Sequence, residues 1–167
     1  MFRGWMLAVG LGAILIGLAG CDPQRISELE EGVSTEADVR ARFGAPDRIW
    51  DGPAGGRVFE YPRQPEGDQN YMITIGPDGK MSALRQVLTP QNFATIQPGM
   101  MMEDVRRLLG RPRAQLPVPA QRQTHWDWRY RDGPNREDTK IFTVVFDADW
   151  RVVQTRSVRD PALDAGR

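Results

Sequence analysis

The segment VRARFGAP at residues 39–46 decides the fold, because its frame returns as VRRLLGRP at residues 105–112. Valine, glycine and proline recur at a constant offset of 66 residues. In each copy an apolar pair precedes a glycine that ends a helix in the left-handed region, and a proline two residues later prevents the helix from continuing. The chain is therefore predicted to be a duplication of one small unit.

Short alternating segments follow each helix and predict β-strands. They lie at 58–61, 71–75 and 81–88 in the first copy, and at 126–131, 141–146 and 152–158 in the second. A short helical turn precedes each helix, at 26–32 and at 96–99. The sequence thus predicts an α+β fold of two tandem αα-βββ units, each a helix pair packed on a three-stranded antiparallel sheet.

Matched offsets also predict the domain limits and the two cores. A first repeat at 26–88, a linker at 89–95 and a second repeat at 96–159 lie between the N-terminal residues 1–25 and a flexible tail at 160–167. The predicted core residues are Val39, Phe43, Phe59, Tyr61, Ile73, Ile75 and Val87 in the first unit, and Val105, Leu109, Trp128, Tyr130, Val144, Phe146 and Val158 in the second.

The N-terminal segment indicates export. Arg3 precedes an apolar, glycine-rich run at 5–18, which is typical of a signal peptide and short for a membrane span. The run ends in Leu18-Ala19-Gly20-Cys21, which is similar to the bacterial lipobox. The resemblance implies a lipoprotein signal peptide at 1–20, lipid attachment at Cys21 and a lipidated tether at 21–25. Cys21 is the sole cysteine and cannot form an internal disulfide. The alternative is an ordinary leader with an incidental thiol.

The charge pattern argues against nucleic-acid binding. The 22 basic and 22 acidic residues give a formal net charge of +0, and the two signs are interleaved. Without a basic stripe, the sequence predicts no phosphate-tracking surface.

Catalytic and metal chemistry have little support in the sequence. His125 is the sole histidine, so no Ser-His-Asp arrangement can be assigned beyond that one imidazole. His125 and Asp127 could offer two metal ligands, but a zinc site takes three or four. We expect a protein that is not an enzyme, with no metal and no cofactor.

Taken together, the lipobox, the cap before the first helix, the repeated Val-x-x-x-[Phe/Leu]-Gly-x-Pro frame and the trailing hairpin resemble the SmpA/OmlA lipoproteins, the BamE-like family. Two such repeats in tandem look like the β-lactamase inhibitor protein architecture. The resemblance implies a non-enzymatic accessory or scaffold in outer-membrane protein assembly and envelope integrity, with components of the β-barrel assembly machinery as protein partners. The alternative is a stand-alone periplasmic binding or enzyme-inhibitor module.

Location within the envelope stays open between two membranes. The family favours a periplasm-facing lipoprotein of the outer membrane. Asp22, directly after the predicted lipid attachment site, resembles a signal for retention in the inner membrane.

Strand alternation predicts a candidate partner surface on the second sheet. In the segment 124–131, the aromatic residues Trp126, Trp128 and Tyr130 alternate with His125, Asp127 and Arg129. We expect the aromatic side chains to meet the helices and the polar set to face a partner or solvent, joined by Thr143 and Val145 of the next strand. Met100 is a further candidate contact, because it opens the second helix beside two more methionines.

Overall fold

The computed structural model describes residues 26–163, so the predicted signal peptide, the lipobox and Cys21 lie outside the described residues. The α-helices are α1 (Glu36–Phe43), α2 (Pro90–Phe93) and α3 (Met102–Leu109). The strands are β1 (Arg48–Asp51), β2 (Arg57–Pro62), β3 (Asn70–Ile75), β4 (Met81–Gln86), β5 (Ala114–Val118), β6 (Gln123–Arg131), β7 (Thr139–Phe146) and β8 (Val152–Arg159). Short 3-10 turns lie at Pro53–Gly55, Pro119–Gln121, Arg136–Asp138 and Pro161–Leu163.

The strands form two antiparallel four-stranded sheets, in the orders β1-β2-β3-β4 and β5-β6-β7-β8. The α+β class is confirmed, but the prediction of three strands per sheet is wrong. Each sheet gains an outer strand, β1 or β5, directly after the helix. β5 contains Pro117, which an edge strand tolerates because one side of its backbone needs no partner.

The predicted helix pairs are also not matched. Within the described part of the first unit, residues 27–33 form turns ahead of α1. In the second unit the first helix is α2, which lies in the segment predicted as linker, and its Phe93 is buried in the second core. Thr89 caps α2 by accepting a hydrogen bond from the Asn92 N–H at 3.2 Å.

The duplication is visible in the backbone. Gly32 N–H donates to the Met81 carbonyl at 2.7 Å, and Gly99 N–H donates to the Val152 carbonyl at 2.8 Å. Both last hairpins carry a register shift at the same point, Thr74/Ile75 in one sheet and Val145/Phe146 in the other. The backbone therefore follows the same path in the two units.

Helices α1 and α3 each end at the predicted glycine, and a residue of the sheet holds that end. Gly44 has φ 81° and ψ −158°, and Gly110 has φ 76° and ψ −174°. These angles have positive φ but extended ψ, so they differ from the left-handed helical conformation that we expected. The Tyr61 hydroxyl donates to the Gly44 carbonyl and the Trp128 indole donates to the Gly110 carbonyl, each at 3.0 Å.

The two helix starts differ. Thr35 caps α1 through a capping box, because its hydroxyl accepts from the Asp38 N–H and the Asp38 carboxylate accepts from the Thr35 N–H at 2.8 Å. Met101 occupies the same place before α3 and has no side-chain cap. The first helix is thus the better capped of the two.

Each sheet packs one face on its own helices and forms its own core. The second core contains Leu88, Phe93, Ile96, Val105, Leu109, Trp126, Trp128, Tyr130, Phe142, Val144, Phe146 and Val152. The first contains Val39, Phe59, Tyr61, Tyr71, Ile73, Ile75 and Met81, with Phe43 partly buried against it. The prediction for Val158 is wrong: it is 47% exposed, because it pairs with Ile141 on the opposite face of the sheet.

A buried carboxylate joins the two units. Glu60 of β2 is 0% exposed and accepts hydrogen bonds from the Trp50 indole at 3.1 Å, the Arg111 N–H at 2.8 Å and the Arg106 guanidinium at 3.2 Å. Asp47 accepts hydrogen bonds from the Arg106 guanidinium at 2.9 Å and from the Arg111 guanidinium at 2.7 Å. The first unit thus supplies two carboxylates to the helix end of the second.

Asn70 completes this junction. Its side-chain amide donates to the carbonyls of Leu109 and Arg111, at 2.7 and 3.1 Å. It lies so close to Gly110 that a Cβ there would sit 3.0 Å from the amide nitrogen. The end of α3 is therefore both a helix stop and an inter-unit contact.

Candidate interaction surface

The aromatic side chains of β6 face the helices, as strand alternation predicted. Trp126, Trp128 and Tyr130 are 4%, 0% and 3% exposed. His125, Asp127 and Arg129 alternate with them and are half-buried on the other face of the sheet. The predicted polar set is thus brought together on one face.

The middle strand does not extend this surface. Thr143 and Val145 share the face with His125 and Asp127 but are 2% and 0% exposed. The Thr143 hydroxyl donates to the Asp127 carboxylate at 2.6 Å. The expectation that Thr143 and Val145 are available to a partner is therefore wrong, because both side chains are buried.

Arg129 is committed to a contact within the second unit. Its Nε lies 2.8 Å from the carboxylate of Asp160, whose side chain is 4% exposed. Asp160 lies in the segment predicted as a flexible tail, yet its N–H donates to the Thr139 carbonyl at 3.0 Å and its carboxylate accepts from the Ala162 N–H at 3.0 Å. Loss of the guanidinium would leave a buried carboxylate without its cation, so Arg129 also has a structural role.

The backbone of Arg129 contacts the first unit. Gln64, which is 3% exposed, accepts from the Arg129 N–H at 3.2 Å and donates to the Arg129 carbonyl at 2.7 Å. Arg131 forms an ion pair with Asp68 at 2.6 Å. The Gln64 side-chain amide thus pairs with the backbone of β6 at a position beyond the end of β5.

Around these contacts lies a cleft of about 340 Å³ between the units. Residues 66–68 of the first unit form one wall, and Arg129, Arg131, Arg136 and Asp160 line the other. Arg136 has no ion-pair partner among residues 26–163. It is therefore the cation of this cleft that remains available to an anionic group.

The methionines at the start of α3 differ in exposure. Met100 and Met102 pack partly buried against the second core, while Met101 is 38% exposed. Beside them, Trp150 is 45% exposed and has φ 60°, at the turn position where the first unit has Gly79 with φ 78°. Its carbonyl accepts from the Met102 N–H at 2.9 Å. Sequence analysis missed Trp150, although an aromatic residue at an expected glycine position was a usable signal.

Near the rim of this surface, one titrating pair is well defined. Lys140 donates to the Asp132 carboxylate at 2.5 Å, and this hydrogen bond raises the pKa of Lys140. The ammonium group of Lys140 is therefore already paired with a carboxylate of the same unit. No group of three or more histidine, cysteine, aspartate or glutamate residues within 26–163 is placed to hold a metal ion.

Comparison with known proteins identifies the second unit. Residues 86–156 match the outer membrane protein assembly factor BamE domain. This match runs from the end of β4 into β8, so the second unit is BamE-like, as the sequence resemblance predicted. Residues 26–85 lie outside the match, and their likeness to the BamE-like unit rests on the repeated backbone contacts.

Other comparisons add little. A DUF4309 family protein (YjgB) from Bacillus subtilis is 22% identical, with a TM-score of 0.31, and the match covers 83% of this chain and 86% of that one. A proposed beta-lactamase inhibitor protein from Streptococcus mutans is 10% identical, with a TM-score of 0.32, and the match covers 75% of this chain and 82% of that one. At these TM-scores neither structure bears on function. No curated protein matches the chain in sequence.

Proposed function

We propose that this protein is a non-enzymatic accessory or scaffold in outer-membrane protein assembly and envelope integrity, acting through protein partners. The observation that carries the proposal is the BamE domain match at residues 86–156. The buried junction supports it, because a scaffold needs its two units in one fixed relation, and Glu60 accepts two hydrogen bonds from the second unit.

The protein is proposed to be a lipoprotein anchored through Cys21. The lipobox-like Leu18-Ala19-Gly20 directly precedes that cysteine, and the described fold begins at Ile26. The tether of residues 21–25 reaches about 15–20 Å at most. Within residues 26–163 the structure contains no helix that is long and apolar enough to span a bilayer.

Metabolic labelling with palmitate tests the anchor. The wild-type protein should take up label, and Cys21→Ala should not. An unlabelled wild type would contradict the anchor and would leave a freely periplasmic protein. Density-gradient separation of the two membranes then decides location: the family resemblance favours the outer membrane, and Asp22 favours the inner one.

Co-purification from detergent-solubilised envelopes tests the function. A tagged protein should bring down components of the β-barrel assembly machinery. Recovery of a single soluble enzyme instead would support the second candidate, a stand-alone binding or inhibitor module, which the fixed tandem of two sheets favours.

Partner contact is proposed on the open face of the second sheet and at the adjoining cleft. The proposed residues there are His125, Asp127 and Arg129, to which the structure adds Arg136. Met100, at the start of α3, is a separate candidate contact. Arg136→Ala is a cleaner test than Arg129→Ala, because Arg129 neutralises the buried Asp160. Arg136→Ala should leave the Tm unchanged and reduce co-purification, and unchanged co-purification would exclude the cleft.

A further inference from the structure

β8 is an open edge strand in the BamE-like unit. It is the last strand in the order β5-β6-β7-β8. Residues 99 and 100 pair with Val152 at its start, and beyond Val152 no other element within residues 26–163 pairs with its outer side. Its eight residues include neither proline nor glycine, and all but Val152 are exposed. Proteins usually cover, shorten or block such an edge, since its free N–H and C=O groups can pair with another strand.

The matching edge of the first unit is blocked from within the chain. The Glu31 carboxylate accepts from the Leu84 N–H of β4 at 2.9 Å and forms an ion pair with the Arg85 guanidinium. The hydrogen bond with Arg85, with that from the Leu84 backbone, lowers the pKa of Glu31. An ionised carboxylate therefore occupies the β4 edge at neutral pH.

The second unit has an equivalent strand edge and an equivalent arginine, but it has no carboxylate equivalent to that of Glu31. Val144 pairs with Thr155 as Ile73 pairs with Leu84, so Thr155 and Arg156 correspond to Leu84 and Arg85. Gly32 and Gly99 make the same contact with the last hairpin, so the residue before each glycine is also equivalent. That residue is Glu31 in the first unit and Pro98 in the second.

Proline offers no side-chain acceptor, so this position is vacant in the second unit. The Arg156 guanidinium has no ion-pair or hydrogen-bond partner among residues 26–163. The Asp160 N–H points inward to the Thr139 carbonyl, and strand alternation then turns the N–H groups of the odd-numbered residues outward. Thr155 therefore presents its N–H beside the unpaired Arg156 guanidinium.

We propose that the β8 edge is a docking site for an extended segment of a partner protein, which adds a strand to this sheet and places a carboxylate on Arg156 and the Thr155 N–H. The carboxylate takes the place that Glu31 fills in the first unit. Backbone hydrogen bonds supply general affinity and the carboxylate selects the partner. This inference does not depend on a role in outer-membrane assembly.

A second copy of this chain is a poor occupant because its charges do not match. If two β8 strands pair in the antiparallel direction, residues whose N–H groups point outward must lie opposite one another. Centring the pair on Thr155 puts Arg151 opposite Arg159, and moving the centre to Arg156 puts two arginines directly opposite each other. Like charges directly opposite are destabilising, and neither register supplies a carboxylate to Arg156.

Site-specific photo-crosslinking in the cells that produce the protein tests the proposal. A benzoyl-phenylalanine at Gln154 should give an adduct with a second protein, while the same group at Ala83, its equivalent on the blocked β4 edge, should not. Pro98→Glu then supplies a carboxylate from within the chain and should weaken the Gln154 adduct by about tenfold. Pro98→Gln, which is similar in size and uncharged, is the matched control and should leave the adduct.

Several results would overturn the proposal. They are no adduct at Gln154, an equal adduct at Ala83, an adduct that Pro98→Glu does not weaken, and an adduct of twice the mass of this chain. Pro98 is exposed, and circular dichroism of each variant checks that the fold is kept. A partner outside the assembly machinery would refute the proposed function alone. A Gln154 adduct that Pro98→Glu does not weaken, together with co-purification of assembly components, would refute the edge alone.

Discussion

Replacement of Glu60 by alanine should strongly destabilise the whole fold. The carboxylate is 0% exposed, and its two oxygens accept three hydrogen bonds. Removing one partner of a buried ion pair costs about 3–5 kcal/mol, since the remaining charge and donors stay buried. Asp47 still pairs with Arg106 at 2.9 Å, so we expect the lower part of that range.

Glutamine should not rescue the site, although it is nearly the same size. Oε2 of Glu60 accepts from the Trp50 indole, and Oε1 accepts from Arg106 and from the Arg111 N–H. Either orientation of an amide turns its NH₂ group toward a donor, so at least one buried donor loses its acceptor. Each such loss costs about 1–3 kcal/mol.

Urea unfolding of the purified protein, followed by tryptophan fluorescence and circular dichroism, measures both effects. Glu103→Gln is the matched control, because Glu103 pairs with Arg107 at 3.6 Å on the surface and should change the free energy of unfolding by less than about 0.5 kcal/mol. An equally small change for Glu60→Ala would refute the reasoning. Separate unfolding transitions for the two units of the wild type would also refute it.

Three further predictions concern the helix ends, the strained turn and acid. Gly44→Ala should lower the free energy of unfolding by about 1–3 kcal/mol, because the φ and ψ of Gly44 suit glycine alone. Gly110→Ala should lower it further, because a Cβ at Gly110 also meets Asn70. Equal losses for the two variants in urea titrations would contradict the effect of Asn70. Trp150→Gly should raise stability by up to about 1 kcal/mol, since it removes a side chain held at φ 60°, and a lower Tm would show that the indole contacts outweigh the strain. A hydrogen bond from Arg40 lowers the pKa of Glu36, and a hydrogen bond from the Thr35 backbone lowers the pKa of Asp38. The stability that they contribute is therefore present above their ordinary pKa values of 4.5 and 3.8 and is lost as the pH falls through the lower folded values. A pH series should show this loss and Glu36→Gln should reduce it, so an unchanged profile in that variant would contradict the assignment.

The helices and the inner strands could be predicted from the sequence because their signals are local. Glycine and proline mark both helix ends, and alternation marks the strands that bury one face. The outer strands escaped because β1 has four residues and β5 contains a proline. Their pairing depends on the neighbouring strand rather than on their own sequence.

The junction and much of the candidate surface could not be predicted, since they depend on contacts between distant residues. Glu60 alternates with apolar neighbours and therefore indicates a solvent-facing position, yet the second unit packs on that face. Arg129 pairs with Asp160 across 31 positions in a segment that looked like a tail. The vacancy at Pro98 becomes visible only when the equivalent contacts of the two units are compared.

The contact between Asn70 and the end of α3 has a consequence for how the chain can be divided. A fragment that holds only the first unit would expose the Asn70 amide and the Glu60 carboxylate to water, and a fragment of the second unit would lose acceptors for Arg106 and Arg111. Either half produced alone would present an unfinished surface to proteases. The gene product should therefore persist in the cell as a whole chain, and deletion of one repeat should lower the abundance of the other.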